Sequence, residues 1–171
     1  MKHQKLYHLV LAALFAALTY VATNIIHVPI PATDGYINLG DCVVLLGAFL
    51  LGPVYGAAAG GVGSALADIL SGYAVFAPGT FVIKALIAVI AAAILKALGS
   101  KTKAAPIVAS IAGEAWMLLG YFLYESIFLR YGLAAAGSIG GNAIQAVAGV
   151  ILASALYAVL SKVPQIKKAA A

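Results

Sequence analysis

The chain has 171 residues, of which 64% are hydrophobic and 9% are charged, and its formal net charge is +5. A soluble domain has roughly 45–50% apolar and about 25% charged residues, and a core of this size cannot bury such an apolar excess. The composition therefore excludes a soluble globular domain and predicts an integral membrane protein.

The apolar segments indicate membrane-spanning helices rather than a β-barrel. In lipid, backbone polar groups are satisfied within helices or within a closed barrel. A barrel needs alternating polar and apolar residues, whereas residues 87–95 and 146–160 are continuously apolar. We therefore predict an all-α membrane protein. The single cysteine, Cys42, can form no internal disulfide.

Six apolar spans are predicted, and together they form a single integral membrane domain over residues 1–171. The first continues to Ile26 behind Lys2 and Lys5, so we expect a retained helix rather than a cleaved signal peptide. The second is short, about 20 Å at a rise of 1.5 Å per residue, and ends at Gly52-Pro53. The spans cover about residues 6–26, 39–51, 54–70, 80–98, 106–130 and 138–161.

The segments between the spans are predicted to be loops and turns. The first of them, residues 28–38, is polar and contains proline, and residues 71–79 form a turn. A basic loop follows at residues 99–105, then a short turn at residues 131–137 and a basic tail at residues 162–171.

The positive charges predict the orientation of the chain. Six spans place both termini and the loop after the fourth span on one side, and the positive-inside rule makes that side cytoplasmic. Five or seven spans would divide these lysines between the two sides. Lysines that anchor the cytoplasmic face explain the net charge better than a nucleic-acid partner, which we do not expect. The residues concerned are Lys2, Lys5, Lys96, Lys101, Lys103, Lys162, Lys167 and Lys168.

Small residues recur at helical spacing in the second and third spans. Gly52, Gly56, Gly60 and Ser64 are four residues apart. In lipid, such faces let helices approach closely, so we expect them to pack within the bundle. A glycine-rich phosphate loop is not indicated, because no Lys-Ser or Lys-Thr pair follows these glycines.

Two carboxylates lie on one face of the fifth span. Glu114 and Glu125 are eleven residues apart, about 16 Å along a helix, with Leu118 and Tyr121 on the same face. A carboxylate is costly in lipid, so both must face the bundle interior or a cavity. Glu125 is expected either to contact a ligand or to form an ion pair with Lys84 or Arg130. Glu114 lies deeper and is expected to contact a ligand or to be structural.

The other polar residues converge on the outer half of the bundle. Asn142 and Gln145 lie one turn apart at the depth of Glu125. We expect them either to contact the ligand or to link neighbouring helices. Lys84 and Asp68 lie near the outer ends of their spans and are expected to pair with each other or to contact the ligand. Tyrosines and polar residues of the outer segments are expected to form interfacial belt residues or a lid over the cavity: Tyr36, Asn38, Asp41 and Tyr73.

These groups indicate capture of a small polar solute from outside. Several donors and acceptors with tyrosine faces suit a heteroaromatic or amide-bearing ligand. The two glutamates favour a ligand with an amino group or a protonated ring nitrogen. We expect no enzymatic activity, no cofactor and no metal, because no catalytic motif and no metal-ligand spacing occurs in the sequence.

Three sequence stretches resemble the substrate-binding (S) components of energy-coupling factor (ECF) vitamin transporters. Ala13–Leu18 (ALFAAL) is similar to the A-x-x-x-A motif of that family, at Ala13 and Ala17. Gly40–Asp68 (GDCVVLLGAFLLGPVYGAAAGGVGSALAD) and Phe76–Lys84 (FAPGTFVIK) resemble the riboflavin-transporter-like branch. The size and the six-span plan also fit, so the resemblance covers nearly the whole chain.

The resemblance implies a multi-pass protein of a prokaryotic plasma membrane that binds one vitamin or precursor. The partners implied are a transmembrane coupling (T) protein, docked through Ala13 and Ala17, and two cytoplasmic ATPases. Delivery would occur by toppling of the S component within the membrane. The resemblance implies a pocket walled by the first loop and the outer parts of spans four to six, where Lys84, Glu125, Asn142 and Gln145 lie. With the residues identified from the pattern of polar groups, the expected substrate-binding residues are Tyr36, Asn38, Asp41, Tyr73, Lys84, Tyr121, Glu125, Asn142 and Gln145, with Asp68 and Glu114 as possible deeper ligand contacts or structural residues.

The branch includes transporters of several vitamins, and the sequence favours a small ring. Trp116, the single tryptophan, is predicted to face away from Glu114, so no tryptophan-walled slot for a large ring system is expected. A pyridine or pyrimidine vitamin, such as pyridoxine or hydroxymethylpyrimidine, is preferred. The alternatives are a self-sufficient channel or secondary carrier, which would show flux alone, and a membrane enzyme.

Overall fold

The structure is a computed structural model that describes residues 2–30, 33–99, 102 and 104–163. Within these residues, five helical segments are long and apolar enough to cross a membrane. Lys101, Lys103, Lys167 and Lys168, which contribute to the predicted orientation, lie outside the described residues. In chain order the elements are α1 (Lys2–Ile25), β1 (Val28–Ile30), β2 (Gly35–Ile37), α2 (Gly40–Leu70), α3 (Ala77–Leu98), α4 (Ala105–Leu123) and α5 (Ile139–Leu160).

The second and third predicted spans are the two arms of α2. Gly52 interrupts the helix with φ 77° and ψ −176°, a conformation that glycine adopts without steric penalty, and Pro53 follows it. The arms pack against each other. A Cβ atom on Gly56 would lie 2.8 Å from Cα of Ala48, and one on Gly60 would lie 2.9 Å from Cγ1 of Val44. The chain therefore reverses at Gly52, and both ends of α2 lie at the same end of the bundle.

The first connecting segment contains a β-hairpin, which the sequence analysis did not predict. Its antiparallel register pairs Val28 with Ile37, Pro29 with Tyr36 and Ile30 with Gly35. A two-stranded hairpin is barely stable alone, so it depends on the helices beneath it. Gly141 of α5 allows the hairpin to pack closely on this helix, because a Cβ atom there would lie 2.7 Å from Cδ1 of Ile30 and 3.3 Å from Cδ1 of Ile37.

The segment after α4 also differs from the prediction of a regular helix to Arg130. A π-helical turn occupies Tyr124–Phe128, and a 3-10 helix occupies Gly132–Ser138, where a short turn was predicted. Arg130 itself lies between them with a left-handed φ of 60°. Glu125 lies in this irregular segment, at the same end of the bundle as the hairpin.

Helix α2 is the packing centre of the bundle. Its small residues allow close approach on two sides: a Cβ atom on Gly61 would lie 2.9 Å from the carbonyl oxygen of Phe81 in α3, and Gly63 contacts Ala16 and Thr19 of α1. The prediction that the face formed by Gly56, Gly60 and Ser64 packs within the bundle is confirmed, since all three are buried, whereas Gly52 lies at the break in α2. The core includes the fully buried side chains of Leu45, Ile87 and Met117.

The two ends of the bundle differ in charge. Lys5, Lys96 and Lys162 are exposed near the ends of α1, α3 and α5 that lie away from the hairpin. The hairpin end instead contains buried polar and charged side chains from every helix. The fold therefore separates an exposed basic end from a buried polar end.

Candidate substrate-binding site

A small cavity lies at the hairpin end, beneath β1 and β2. Its volume is about 20 Å³, measured as room for the centre of a water molecule, enough for about one or two ordered waters. A ligand with a ring therefore requires the hairpin and the lining side chains to move outward. The hairpin and all five helices contribute to the lining: Thr23, Ile30, Gly35, Tyr36, Asn38, Ser64, Asp68, Phe76, Thr80, Lys84, Tyr121, Glu125, Asn142 and Gln145.

A chain of charged and amide groups fixes the floor of the cavity. Lys84 of α3 forms an ion pair with Oδ1 of Asp41, and both side chains are almost completely buried. Gln145 donates from Nε2 to Oδ2 of Asp41 at 2.5 Å, and its Oε1 accepts from the backbone N–H of Asn38 at 2.7 Å. Asn38 in turn accepts from the Gly40 N–H at 2.8 Å. Charge-assisted contacts of this kind hold their side chains in one orientation.

Two further carboxylates line the cavity and keep acceptor capacity. Asp68 accepts a hydrogen bond from the Tyr36 hydroxyl at Oδ1, while its buried Oδ2 has no hydrogen-bond partner among the described residues. Ser138 donates to Oε2 of Glu125 at 2.6 Å. Oε1 of Glu125 points toward the hairpin, where a Cβ atom on Gly35 would lie 3.8 Å from it.

Local backbone irregularity places Glu125. The π-helical turn Tyr124–Phe128 adds a residue to the helical repeat, which rotates its side chains relative to α4. Glu125 is 2% exposed, so it faces the bundle rather than lipid. Such turns are frequent at functional sites.

Aromatic rings stack above the cavity. The rings of His27 and Tyr36 are stacked with centroids 3.7 Å apart, and Tyr73 lies 4.7 Å from Tyr36 and 5.0 Å from His27. Burial lowers the pKa of His27, with Asp68 opposing that effect. Burial, then Asp68, raises the pKa of Tyr36, so its hydroxyl remains a donor. The stack connects the hairpin to the end of α2.

The remaining wall is aromatic and hydroxylic. The Thr80 and Tyr121 hydroxyls are 3.0 Å apart, and Lys84 Nζ lies 5.3 Å from the centroid of the Tyr121 ring. Phe76 approaches Gly35 of the hairpin, since a Cβ atom there would lie 3.9 Å from Cζ of Phe76. The cavity therefore offers ring faces as well as polar atoms.

Most of the residues predicted from sequence come together here. Asp41 lies behind the lining as the partner of Lys84, and Tyr73 belongs to the stack above it. The predicted residues that line the cavity itself are Tyr36, Asn38, Asp68, Lys84, Tyr121, Glu125, Asn142 and Gln145.

Two expected pairings are wrong. Lys84 pairs with Asp41 rather than with Asp68, because the reversal of α2 brings Asp41 as well as Asp68 to the hairpin end, within reach of α3. Among the described residues, Glu125 forms no ion pair with Lys84 or Arg130. Its described hydrogen-bond partner is Ser138.

Several lining residues were not predicted from the sequence. Ser64, Phe76 and Thr80 lie three or four residues from predicted site residues, and Thr23 lies in α1, where no substrate-binding residue was predicted. Hydroxyl and phenyl groups are common in membrane helices, so nothing in the sequence distinguishes them. Ser138 would have been found only from the irregular backbone that brings it to Glu125.

Glu114 lies outside the cavity lining. Its side chain is 2% exposed, and neither carboxyl oxygen has a hydrogen-bond partner among the described residues. It is packed against α5, where a Cβ atom on Gly149 would lie 2.6 Å from Oε1. Glu114 therefore occupies a separate position between α4 and α5, below the floor formed by Asp41. The described residues contain no group of three or more potential metal ligands.

Comparison with known proteins identifies the family. The family described as "ECF-type riboflavin transporter, S component" matches residues 3–162 of this chain. A Pyrococcus woesei protein, described as an uncharacterized protein in a gap 3′ region, is 38% identical over 142 residues, which is 83% of this chain and 93% of that protein.

A solved structure shares the fold. The S component in "Structure and mechanism of the S component of a bacterial ECF transporter" superposes with a TM-score of 0.75 and is 25% identical in sequence. The match covers 92% of this chain and 97% of that one. Family membership and the apolar helices show a multi-pass protein of the cell membrane. The chain thus belongs to the ECF-type riboflavin transporter S component family and is a membrane substrate-binding subunit of an ECF transporter.

Proposed function

We propose that this chain is the high-affinity binding subunit for a water-soluble vitamin or vitamin precursor of the pyridine or pyrimidine type. The observation that carries the proposal is the small, partly open cavity beneath the hairpin, which combines fixed hydrogen-bonding groups with aromatic faces. Sites of this composition suit a small heteroaromatic ligand. The family supplies the general function, and the cavity supports the choice of ligand class.

Each part of the cavity has a proposed role. The network of Asp41, Lys84 and Gln145 gives a fixed floor, and Glu125 with Asn142 contacts polar substituents of the ligand. Tyr36 and Tyr73 belong to the lid, and Tyr121 offers a ring face. Asn38 positions Gln145, and Asp68 is a ligand contact that also anchors the lid. Glu114 is a structural residue between α4 and α5.

The dimensions of the cavity favour a small ring over a large one. Without a ligand the cavity has room for only about one or two waters, so any ring requires the hairpin to move. Each additional ring requires a larger displacement of the hairpin. Trp116 offers no stacking surface inside it, because its Nε1 lies 3.3 Å from the Ile83 carbonyl oxygen on the α3 side. A single pyridine or pyrimidine ring needs the smaller rearrangement.

The orientation that we propose has six crossings, with both termini in the cytoplasm and one membrane domain. The antiparallel arms of α2 support it, because they return the chain to the hairpin end before α3 begins. The exposed bases at the opposite end support a cytoplasmic assignment for that end. The cavity would then open toward the outside.

Delivery would require partners. We propose that Ala13 and Ala17 dock on a T protein, that two ATPases supply the energy, and that the chain topples to present the cavity to the cytoplasm. Both alanines are exposed on α1. Small exposed residues permit close helix–helix contact in lipid, which supports docking at this face.

The proposal is tested by binding and by flux. The purified chain should bind its vitamin with submicromolar affinity, and Glu125→Gln and Asn142→Ala should each weaken binding at least tenfold while the unfolding temperature stays near wild type. Proteoliposomes that contain only this chain should show no uptake, and uptake should appear when a T protein, ATPases and ATP are added. Uptake by the isolated chain would instead establish a self-sufficient channel or carrier.

A further inference from the structure

The charges of the cavity are unbalanced. Its lining contains two carboxylates, Asp68 and Glu125, and one ammonium group, Lys84. Lys84 is already neutralised by Asp41, which lies behind the lining. Among the described residues, no ion pair compensates Asp68 or Glu125.

Other bases of the hairpin end do not supply the missing positive charge. His27 stacks on Tyr36 near Asp68, and burial lowers its pKa, so it is neutral near pH 7. Arg130 is exposed, lies in the segment after the π-helical turn and is not part of the lining. The cavity therefore contains two carboxyl groups that no cation among the described residues pairs with, in a setting where an isolated carboxylate is costly.

Both carboxylates also retain unused acceptor atoms. Oδ2 of Asp68 is buried without a partner in the described part of the chain, and Oε1 of Glu125 faces Gly35 of the hairpin. Each carboxylate receives a single described hydrogen bond, from Tyr36 and from Ser138. An ionised carboxylate has about four lone-pair sites, so each can accept further donors.

The aromatic wall favours the same kind of ligand. Tyr121, Tyr36 and Phe76 line the cavity, and Lys84 already lies over the Tyr121 ring at 5.3 Å. Ring faces attract cations and stack on planar heterocycles. A small ring with a positive charge would thus suit both the carboxyl groups and the ring faces of the lining.

We infer that the preferred ligand is a small ring compound with a cationic nitrogen, and that Asp68 and Glu125 determine this preference. The inference rests on the proposed function, since it assigns the charge of the vitamin that the cavity binds. Phosphorylated forms are rejected, because Lys84 is engaged by Asp41 and both remaining charges repel a phosphate.

Matched ligand pairs test the inference. One pair is pyridoxamine and pyridoxine, and the other is the 5-aminomethyl and 5-hydroxymethyl forms of 4-amino-2-methylpyrimidine. Within each pair an ammonium group replaces a hydroxyl on the same ring. Titration calorimetry of the full chain in detergent at about neutral pH, where a primary amine is protonated, should show the cationic member of at least one pair binding at least tenfold more tightly.

Variants locate the source of the preference. Asp68→Asn and Glu125→Gln should each reduce the preference to about threefold or less, and most of the lost affinity should be that of the cationic member. Glu114→Gln is the matched control, because Glu114 is equally buried but lies outside the lining. It should leave the preference unchanged.

The outcomes separate this inference from the proposed function. Equal or tighter binding of the neutral members, or submicromolar binding of neutral riboflavin alone, would overturn the inference and leave a vitamin-binding subunit. A preference that persists in both carboxylate variants would overturn the roles of Asp68 and Glu125. If no vitamin binds and the complete transporter takes up none, the proposed function fails and the inference fails with it.

Discussion

We expect the buried side chain of Lys84 to contribute strongly to the stability of the folded bundle. Its side chain is 1% exposed, and its ion pair with Asp41 is the one salt bridge among the described residues. Removing one partner of a buried pair leaves an uncompensated charge, which typically costs about 3–5 kcal/mol. We expect Lys84→Met to lower the unfolding temperature sharply in detergent, as measured by thermal denaturation.

Two comparisons make that result specific to the pair. Adding Asp41→Asn to Lys84→Met should restore most of the lost stability, because the orphaned charge is removed. Lys96→Met changes an exposed lysine of the same helix and should have little effect. Equal destabilisation by the two lysine variants would contradict the importance of the ion pair.

We expect His27 to make closure of the proposed lid sensitive to pH. Its stacked position favours the neutral imidazole, so its pKa in the closed structure lies below the ordinary value of about 6.5. When pH falls below that ordinary value, the open state takes up a proton more readily than the closed state, and closure becomes less stable. Closure is therefore most stable above about pH 6.5 and weakens as pH falls toward the lowered pKa.

The measurement is the dissociation rate of bound vitamin as a function of pH. The rate should increase between about pH 7.5 and about pH 5, in the range where histidine titrates. His27→Gln has no titrating ring and should flatten this profile. An identical pH dependence in the variant would assign the effect to another group.

At the scale of elements, the glycine contacts within α2 determine whether its arms can pack. A Cβ atom on Gly56 would lie 2.8 Å from the backbone of Ala48, so Gly56→Ala must push the arms apart. Overpacking of this kind costs about 1–3 kcal/mol. The unfolding temperature of Gly56→Ala should therefore decrease.

Gly140→Ala in α5 is the matched control for that change. A Cβ atom on Gly140 would meet no atom within 4 Å, and replacing a helical glycine by alanine with no clash is neutral or stabilising by up to about 1 kcal/mol. A Gly56→Ala variant as stable as Gly140→Ala would show that the arms are not closely packed.

The elements that sequence reasoning found are those with a strong, regular signal. Long apolar runs predict α1, α3, α5 and the start of α4 within a few residues, and the break at Gly52-Pro53 predicts where α2 reverses. The hairpin was missed because its strands have three residues each, too few to show an alternating pattern. The π-helical turn was missed because its sequence, YESIF, differs in no obvious way from an ordinary helix.

Most residues of the candidate site could be predicted from the sequence, but the pairing of their side chains could not. Burial cost alone identifies Lys84, Glu125, Asn142 and Gln145 as residues that must face inward. The choice of Asp41 over Asp68 as the partner of Lys84 depends on how the arms of α2 are rotated, and helical spacing does not determine that. The sequence predicts that Glu114 lies deeper than Glu125 but leaves open whether it contacts the ligand, and Glu114 lies outside the cavity lining.

At the scale of the whole molecule, the exposed face of α1 is the proposed docking surface for the T protein. Ala13 and Ala17 are exposed, whereas Ala12 and Ala16 pack toward α2. Ala13→Trp combined with Ala17→Trp should preserve vitamin binding by the isolated chain, because both side chains are exposed and neither lines the cavity. The same variant should lose copurification with the T protein and ATPases, and uptake in cells should fall to background.

Normal assembly and transport by the double tryptophan variant would place the docking surface elsewhere. A loss of vitamin binding as well as assembly would show a folding defect rather than a docking defect. A tryptophan pair at Leu9 and Leu14, which are also exposed on α1, gives a control for added bulk on the same helix.

The central claim is that this chain captures one small vitamin at the cavity beneath the hairpin. The most direct measurement is mass spectrometry of the small molecules released from the purified, detergent-solubilised chain. We predict one ring compound with a basic nitrogen, close to one molecule per chain, and its loss from an Asn142→Trp variant that fills the cavity. Release of no compound after growth in vitamin-rich medium, or equal release from the filled variant, would contradict the account.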